Sequence, residues 1–264
     1  MSELYIGAQG WSYPDWVGSF YPPESKQEHW LPFYAEVFRS VELDTTFYHP
    51  PKPTIVRSWA RHTPETFRFA AKVPQAITHV ARLAKMAEQI ETFVRALDPL
   101  GARRGPLLVQ MPADFVRDEG TVGVLDRFLA ACPSQAKIAV EFRSRSWHDE
   151  RTWQLLRRRR ACLVWSEWRD LPPVTEVTGD FLYLRWMGHR EAITRFDRVR
   201  IDRGSEFDAW HAPIERALPQ VGEVYGYFNN HWAGHSPASA AEMLRRLGYT
   251  TVEPKTLWPQ QELW

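Results

Sequence analysis

Groups able to move a proton or hold an anion recur in this 264-residue chain at one kind of place, the end of a short β-rich run. Successive side chains of a strand point to opposite faces, so residues two apart share a face. In Lys137–Arg143, Ile138, Val140 and Phe142 form an apolar set suited to lie under helices, leaving Ala139, Glu141 and Arg143 to point the other way. The same split sets aside Gln9 after Tyr5 and Gly7, Glu42 with Asp44, Lys72 after Arg68 and Ala70, and Arg185 after Phe181 and Tyr183. It also aligns Asn229 and His231 with Tyr225 and Tyr227, and Gln110 ends a further run. Burying so many polar groups is costly unless they meet one another or a ligand. Glu42 and Glu141 are the candidate base and acid, with His231 as a third proton-handling group. Lys72, Arg143 and Arg185 are a cationic set for a carboxylate or phosphate. Their competing role is to balance the two glutamates and hold them ionised.

Further side chains join this set through the loops that follow the runs. His79 lies in Ile77-Thr78-His79, and Asn230 stands beside Asn229. Trp11, Tyr13 and Trp16 in the first loop, Trp147 in the fifth and Trp232 in the eighth could wall a substrate or roof the fold. Gly188 and Gly234 are expected to make tight turns with close backbone approach, to an anion if one binds there. The substrate-binding expectation is therefore Gln9, Trp11, Tyr13, Lys72, His79, Gln110, Arg143, Trp147, Arg185, Asn229 and Asn230. No cofactor is required by the sequence. A divalent metal is admitted, with Glu42, Glu141, His79 and His231 as its ligands, although no H-E-x-x-H or other close-spaced ligand pair is present.

Eight runs must position these groups: Leu4–Ala8, Ser40–Asp44, Phe67–Lys72, Pro106–Gln110, Lys137–Glu141, Ala161–Ser166, Phe181–Trp186 and Glu223–Phe228. Between them, helical patterns cover His29–Arg39, Thr54–His62, Met86–Leu97, Glu119–Ala131, Asp149–Arg159, Ser205–Leu218 and Pro237–Leu247. Met86, Ile90, Phe93, Val94 and Leu97 have the spacing of one helix face. The connection after Ser166 holds Pro172 and Pro173, so its helix is expected to be stunted. Eight alternating units imply parallel pairing through right-handed crossovers and fit a single (β/α)8 barrel over 1–264. A doubly wound open sheet is the competitor, but no G-x-G-x-x-G or G-x-x-x-x-G-K-[ST] loop follows any run. Barrel enzymes work at the C-terminal ends of their strands, which is where the polar groups fall.

Composition narrows the function classes. No run of 18 apolar residues occurs, so no membrane span is predicted. MSELYIGAQG lacks the regions of a secretion signal, so the expected location is cytoplasmic. Two cysteines, Cys132 and Cys162, build neither a disulfide framework nor a four-thiolate metal site. A formal charge of +1 excludes a strong global field for nucleic acid. The Arg157–Arg160 run ends a helix at the face opposite the mouth and is discounted. The segment His189–Arg203 is at the active end. Its Arg190, Arg195, Arg198, Arg200 and Arg203 could form a lid or basic lip, softened by Glu191, Asp197 and Asp202.

The chain resembles the YecE-like family, domain of unknown function 72, over nearly its full length. The resemblance is carried by IGAQGWSYPDWVGSFYP at 6–22, FRSVELDTTFYHPP at 38–51, FRFAAKVPQAITH at 67–79 and GPLLVQMP at 105–112. AVEFRSRSW at 139–147, FLYLRWMG at 181–188 and YGYFNNHWAGHSPASA at 225–240 complete it. It implies a (β/α)8 barrel and no assigned reaction. Two departures stand out. Ala8 and Gln9 replace the family's Thr or Cys then Ser. The sixth run reads Trp165-Ser166-Glu167-Trp168, where the family tends to have an aspartate whose role could have passed to Glu167.

The favoured expectation is an enzyme using acid–base chemistry on a small anionic molecule such as a sugar phosphate or hydroxy acid. Isomerase, lyase and hydrolase are not separable. The second is a metal-dependent phosphodiesterase of the endonuclease IV type, acting on nucleic acid. The third is a non-catalytic barrel that binds a metabolite. No membrane partner is expected, and nothing in the sequence fixes an oligomeric state.

Overall fold

The computed structural model describes residues 2–168, 171–188 and 193–259. Eight parallel strands close into a barrel in chain order: β1 Glu3–Gln9, β2 Ser40–Leu43, β3 Arg68–Lys72, β4 Arg104–Gln110, β5 Ile138–Glu141, β6 Cys162–Glu167, β7 Phe181–Trp186 and β8 Glu223–Phe228. β8 pairs back onto β1, so the open-sheet alternative is excluded. The outer layer holds α1 Trp30–Val37, α2 Pro53–Arg61, α3 Ala87–Ala96, α4 Glu119–Ala131, α5 Glu150–Arg158, α6 Gly204–Ala217, α7 Asn230–Ala233 and α8 Ser236–Arg246.

Alternation dictates the two-layer core. Leu4 and Ile6 of β1, Val41 and Leu43 of β2, and Val140 of β5 face the helices and are buried there. The opposite set fills the barrel with Tyr5, Ala70, Leu108, Ala139, Cys162, Val164, Phe181, Tyr183, Tyr225 and Tyr227. Four tyrosines, not branched aliphatics, supply the bulk on one side, and small residues on β3 and β5 give them room.

Local signals set the helix ends. Asp118 accepts from the Thr121 amide at 2.7 Å while Thr121 Oγ1 accepts from the Asp118 amide at 2.9 Å, a reciprocal cap on α4. Asp149 caps α5, and Gly248, at φ +81, ends α8. The proline-bearing connection from β6 to β7 forms no helix among its described residues. Two local features depart from the sequence pattern. A wide helical turn covers Ala76–Val80, and α7 begins directly after Asn229. Arg157 pairs with Glu150 and Glu176, and Arg159 with Asp126. The 157–160 run is thus an exposed surface on which two of the four arginines are paired.

Candidate active site at the C-terminal mouth

Parallel register decides which polar groups meet. Gln9 pairs with Glu42, Gln110 with Glu141, and Ser166 with Arg185, so each couple shares the interior face at the C-terminal end. Arg185 stands at the centre. Its Nε and Nη2 donate to Glu42 at 3.0 and 2.8 Å, and its Nη1 donates to Glu141 at 2.6 Å. Tyr183 donates its hydroxyl to the same Glu42 oxygen at 2.6 Å, and Arg143 Nε donates to Glu141 at 3.0 Å. One guanidinium therefore joins carboxylates that lie 99 positions apart in sequence, as only a closed barrel permits.

These glutamates are sealed. Glu42 and Glu141 are both 0% exposed, and each of their four oxygens accepts from an arginine. Burial opposes ionisation of both, and their partners decide the outcome. For Glu141 the guanidiniums of Arg185 and Arg143 outweigh burial and bring its carboxyl down to about 2. Glu42 has Arg185 without a second arginine, and Asp44 adds a like charge, so burial leaves its carboxyl above the ordinary value. Neither offers an oxygen to solvent as an open base or acid would. The expectation of a Glu42–Glu141 proton-handling pair is corrected to an anchored ion network that fixes Arg185 and Arg143.

Above this floor lie groups that reach the mouth. Lys72 Nζ sits 3.3 Å from Asp44 and 3.9 Å from the centre of the Phe47 ring. Burial, aided by Arg185, pulls its ammonium below the ordinary lysine value despite Asp44. His79 packs edge-on to the same Phe47, at 5.0 Å between ring centres. Its Nδ1 is 2.9 Å from Thr78 Oγ1, which itself donates to the Pro74 carbonyl, and its Nε2 is 3.4 Å from Gln110 Nε2. This network assigns the proton to Nδ1 and leaves Nε2 as an acceptor. Burial, then the charges of Lys72 and Arg143, lower the imidazole's pKa and keep it neutral near pH 7. Gln110 Oε1 and Ser166 Oγ are buried with no hydrogen-bond partner among the described residues. On the far side Asn229 Nδ2 donates to Gln9 Oε1 at 2.8 Å, and Gln9 Nε2 reaches Met187 Sδ at 3.0 Å.

Other expected residues are placed differently. His231 does not continue the face of Asn229. The chain turns into α7, where the Asn229 side chain accepts from the His231 amide at 2.9 Å, and the imidazole lies edge-on to Phe196. Asn230 is buried, and its Oδ1 accepts from Trp16, the Ser236 amide and the Ser236 hydroxyl, so it is structural rather than substrate-binding. Trp147 is no stacking wall: it is 1% exposed between Phe115 and Phe142, with ring centres 5.3 and 4.7 Å away. Trp11 packs edge-on to Trp59 and Phe69 in the helix layer, and Trp16 and Trp232 are fully buried. Tyr13 lies over Trp16, with its hydroxyl on the Gln9 carbonyl. Gly188 and Gly234 do make close approaches, but to the chain itself. A Cβ on Gly188 would lie 2.1 Å from the His231 carbonyl oxygen, and one on Gly234 2.6 Å from that of Arg198.

No trio of histidine, cysteine, aspartate or glutamate among the described residues can hold a metal ion. Glu42, Glu141, His79 and His231 therefore form no such group. The basic lip is largely neutralised where it is described, since Arg195 and Arg200 pair with Asp197, and Arg203 with Glu206. Arg190 and Glu191 lie outside the described residues. Glu167 does not replace the family's aspartate in the mouth, because it faces outward to Trp210 and Trp232 while its neighbour Ser166 faces in. Asp44 was legible by parity with Glu42. Phe47, which seats both Lys72 and His79, carries no sequence signal.

Fold and site together define a (β/α)8-barrel protein with a charged mouth at the C-terminal ends of its strands. The chain belongs to the family described as "Protein of unknown function DUF72", which matches residues 5–262. It is 35% identical over 140 residues to the UPF0759 protein YecE of Escherichia coli (strain K12), a match covering 53% of this chain and 48% of that protein. The chain thus spans about half the length of that relative. It is 25% identical over 283 residues to the UPF0759 protein YunF of Bacillus subtilis (strain 168), covering 96% of this chain and 99% of that one. A crystal structure of a DUF72 family protein (TM1631) from Thermotoga maritima MSB8 superposes with a TM-score of 0.81 at 30% identity, covering 93% of this chain and 99% of that one. A DUF72 family protein (EF0366) from Enterococcus faecalis V583 shares the fold, with a TM-score of 0.77 at 22% identity over 99% of both chains. No helix among the described residues is long and apolar enough to cross a membrane.

Proposed function

We propose that the mouth binds a small anionic substrate, a phosphate ester or hydroxy acid, between Lys72 and Arg143, and that His79 handles the proton. The observation that carries this reading is the position of His79: a neutral imidazole with Nε2 as acceptor, beside Gln110, in the field of Lys72 and Arg143. An anion entering there would meet two cations already oriented, Lys72 by Asp44 and Phe47, Arg143 by Glu141 and Trp168. Such preorganisation lowers the cost of binding, because the charges need not be reordered. Gln110 Oε1 and Ser166 Oγ supply polar atoms that a substrate hydroxyl would satisfy. Glu42, Glu141 and Arg185 act beneath, as the charged floor that fixes Arg143.

The test is a calorimetric screen of sugar phosphates and hydroxy acids against the protein and three variants. Lys72→Met and Arg143→Met should each weaken the binding of a hit roughly tenfold or more, the worth of one charge-assisted hydrogen bond. His79→Asn should keep binding within a few-fold and abolish turnover of that hit. An anion that binds unchanged to Lys72→Met and Arg143→Met would refute the assignment of the site. Turnover surviving in His79→Asn would refute the role of the imidazole.

A further inference from the structure

Glu167 is held in a way the mouth does not explain. It faces out beneath α6, and its two oxygens accept from two indoles, Trp232 Nε1 at 2.8 Å and Trp210 Nε1. An indole N–H is a neutral donor, so these bonds aim the carboxylate without cancelling its charge, and lone pairs remain on both oxygens. Among the described residues Glu167 forms no ion pair and accepts from no donor beyond these two indoles. A cavity of about 440 Å³ opens beside it, between the proline-bearing connection and α6. Pro172, Pro173, Trp210 and Pro213 form apolar walls. Arg203 and Glu206 also line it, but they cancel: Arg203 Nη1 lies 2.6 Å from Glu206, and its Nε donates to the Trp232 carbonyl at 2.9 Å. Among the described residues that line the cavity, the net charge is that of Glu167.

We propose that this cavity is a ligand site for a small organic cation, an ammonium or guanidinium on an apolar body, with Glu167 as its counter-ion. The volume is in the range of small-molecule sites. A cation seated there gains an ion pair at a half-buried carboxylate and the Trp210 ring nearby, whereas an anion meets the uncancelled charge of Glu167. Proline and tryptophan walls are rigid, so the pocket pays little ordering entropy on binding. The site is separate from the mouth, because adjacent residues Ser166 and Glu167 face opposite sides of the β6 end. It does not depend on the anion reading.

Isothermal titration calorimetry with benzylammonium and its neutral isostere benzyl alcohol tests the proposal on the full chain. Benzylammonium should bind one to one, at least tenfold tighter than benzyl alcohol, and more weakly as salt is added. Glu167→Gln should remove the preference for the cation. Ala209→Leu should block both compounds by filling the cavity, which Ala209 lines. Lys72→Met in the mouth should change neither. Equal binding of the two compounds, no binding of benzylammonium, or a preference that survives Glu167→Gln would overturn it. Should Glu167→Gln fail to fold, unchanged benzylammonium binding in Ala209→Leu would do the same.

Discussion

Replacing Arg185 by methionine tests the reading of the glutamates as an anchored floor. The substitution keeps an unbranched side chain but removes two hydrogen bonds from Glu42 and one from Glu141, in a place where neither carboxylate is exposed. Breaking a buried ion pair from one side costs about 3–5 kcal/mol, because the remaining charge is left uncompensated. For a chain of this size that is a fall in Tm of roughly 10 °C. The pH dependence is the sharper readout. In the native protein Glu141 is brought from 4.5 to about 2, worth about 3 kcal/mol, which is fully present above 4.5 and lost as pH falls towards 2. Glu42, whose carboxyl burial raises, acts in the opposite sense and costs stability as pH climbs past its ordinary value. Without Arg185, Glu42 keeps Tyr183 and the charge of Lys72 against its burial, and Glu141 keeps Arg143 and the charge of Lys72. Both carboxyls then rise, and the variant should gain stability as pH is lowered from 8 to 5. Urea unfolding followed by tryptophan fluorescence at pH 5, 6.5 and 8 should therefore show the gap between native protein and variant closing towards acid. Adding Glu42→Gln to the variant should recover much of the loss at pH 8. A gap that stays constant with pH, or a loss below about 1 kcal/mol, would show that Arg185 does not hold these carboxylates.

Other outcomes follow from single contacts. His235 caps α8 by accepting from the Ala238 amide at 3.2 Å, and burial depresses its pKa to about 4. Its contribution, about 3 kcal/mol, is fully present above 6.5 and lost as pH falls towards 4. His235→Asn keeps an acceptor at the cap, so its Tm should fall less between pH 7 and 4.5 than that of the native protein. Gly188 has φ +64 and sits against the backbone that opens α7, so Gly188→Ala should cost on the order of 3 kcal/mol in urea unfolding. A loss under 1 kcal/mol would mean that this turn yields easily.

The sequence by itself determined the barrel. β-rich runs alternating with helical patterns marked the eight strands to within two residues at each end, and parity then sorted their side chains, because those of a strand alternate in steps of two. The same parity brought Gln9, Glu42, Lys72, Gln110, Glu141, Arg143 and Arg185 to one rim. Parity stops where a strand stops. His231 appeared to share the face of Asn229 only because its pattern was counted across a boundary at which the backbone turns helical. The tryptophans misled for a related reason: an indole can roof a barrel or line its mouth with equal propensity, and only the neighbours of Trp147, two phenylalanines in parallel stack, decide which.

Tertiary structure alone decided what the charges do. Composition names two glutamates and three cations, but a carboxylate is a base when water reaches it and a structural anion when a guanidinium covers it. That choice rests on shear and register across the whole barrel, which set Arg185 between β2 and β5 and leave His79, on a loop turn with no periodicity to betray it, beside Lys72. Such distances arise from closure of the sheet, and no local stretch of sequence encodes them.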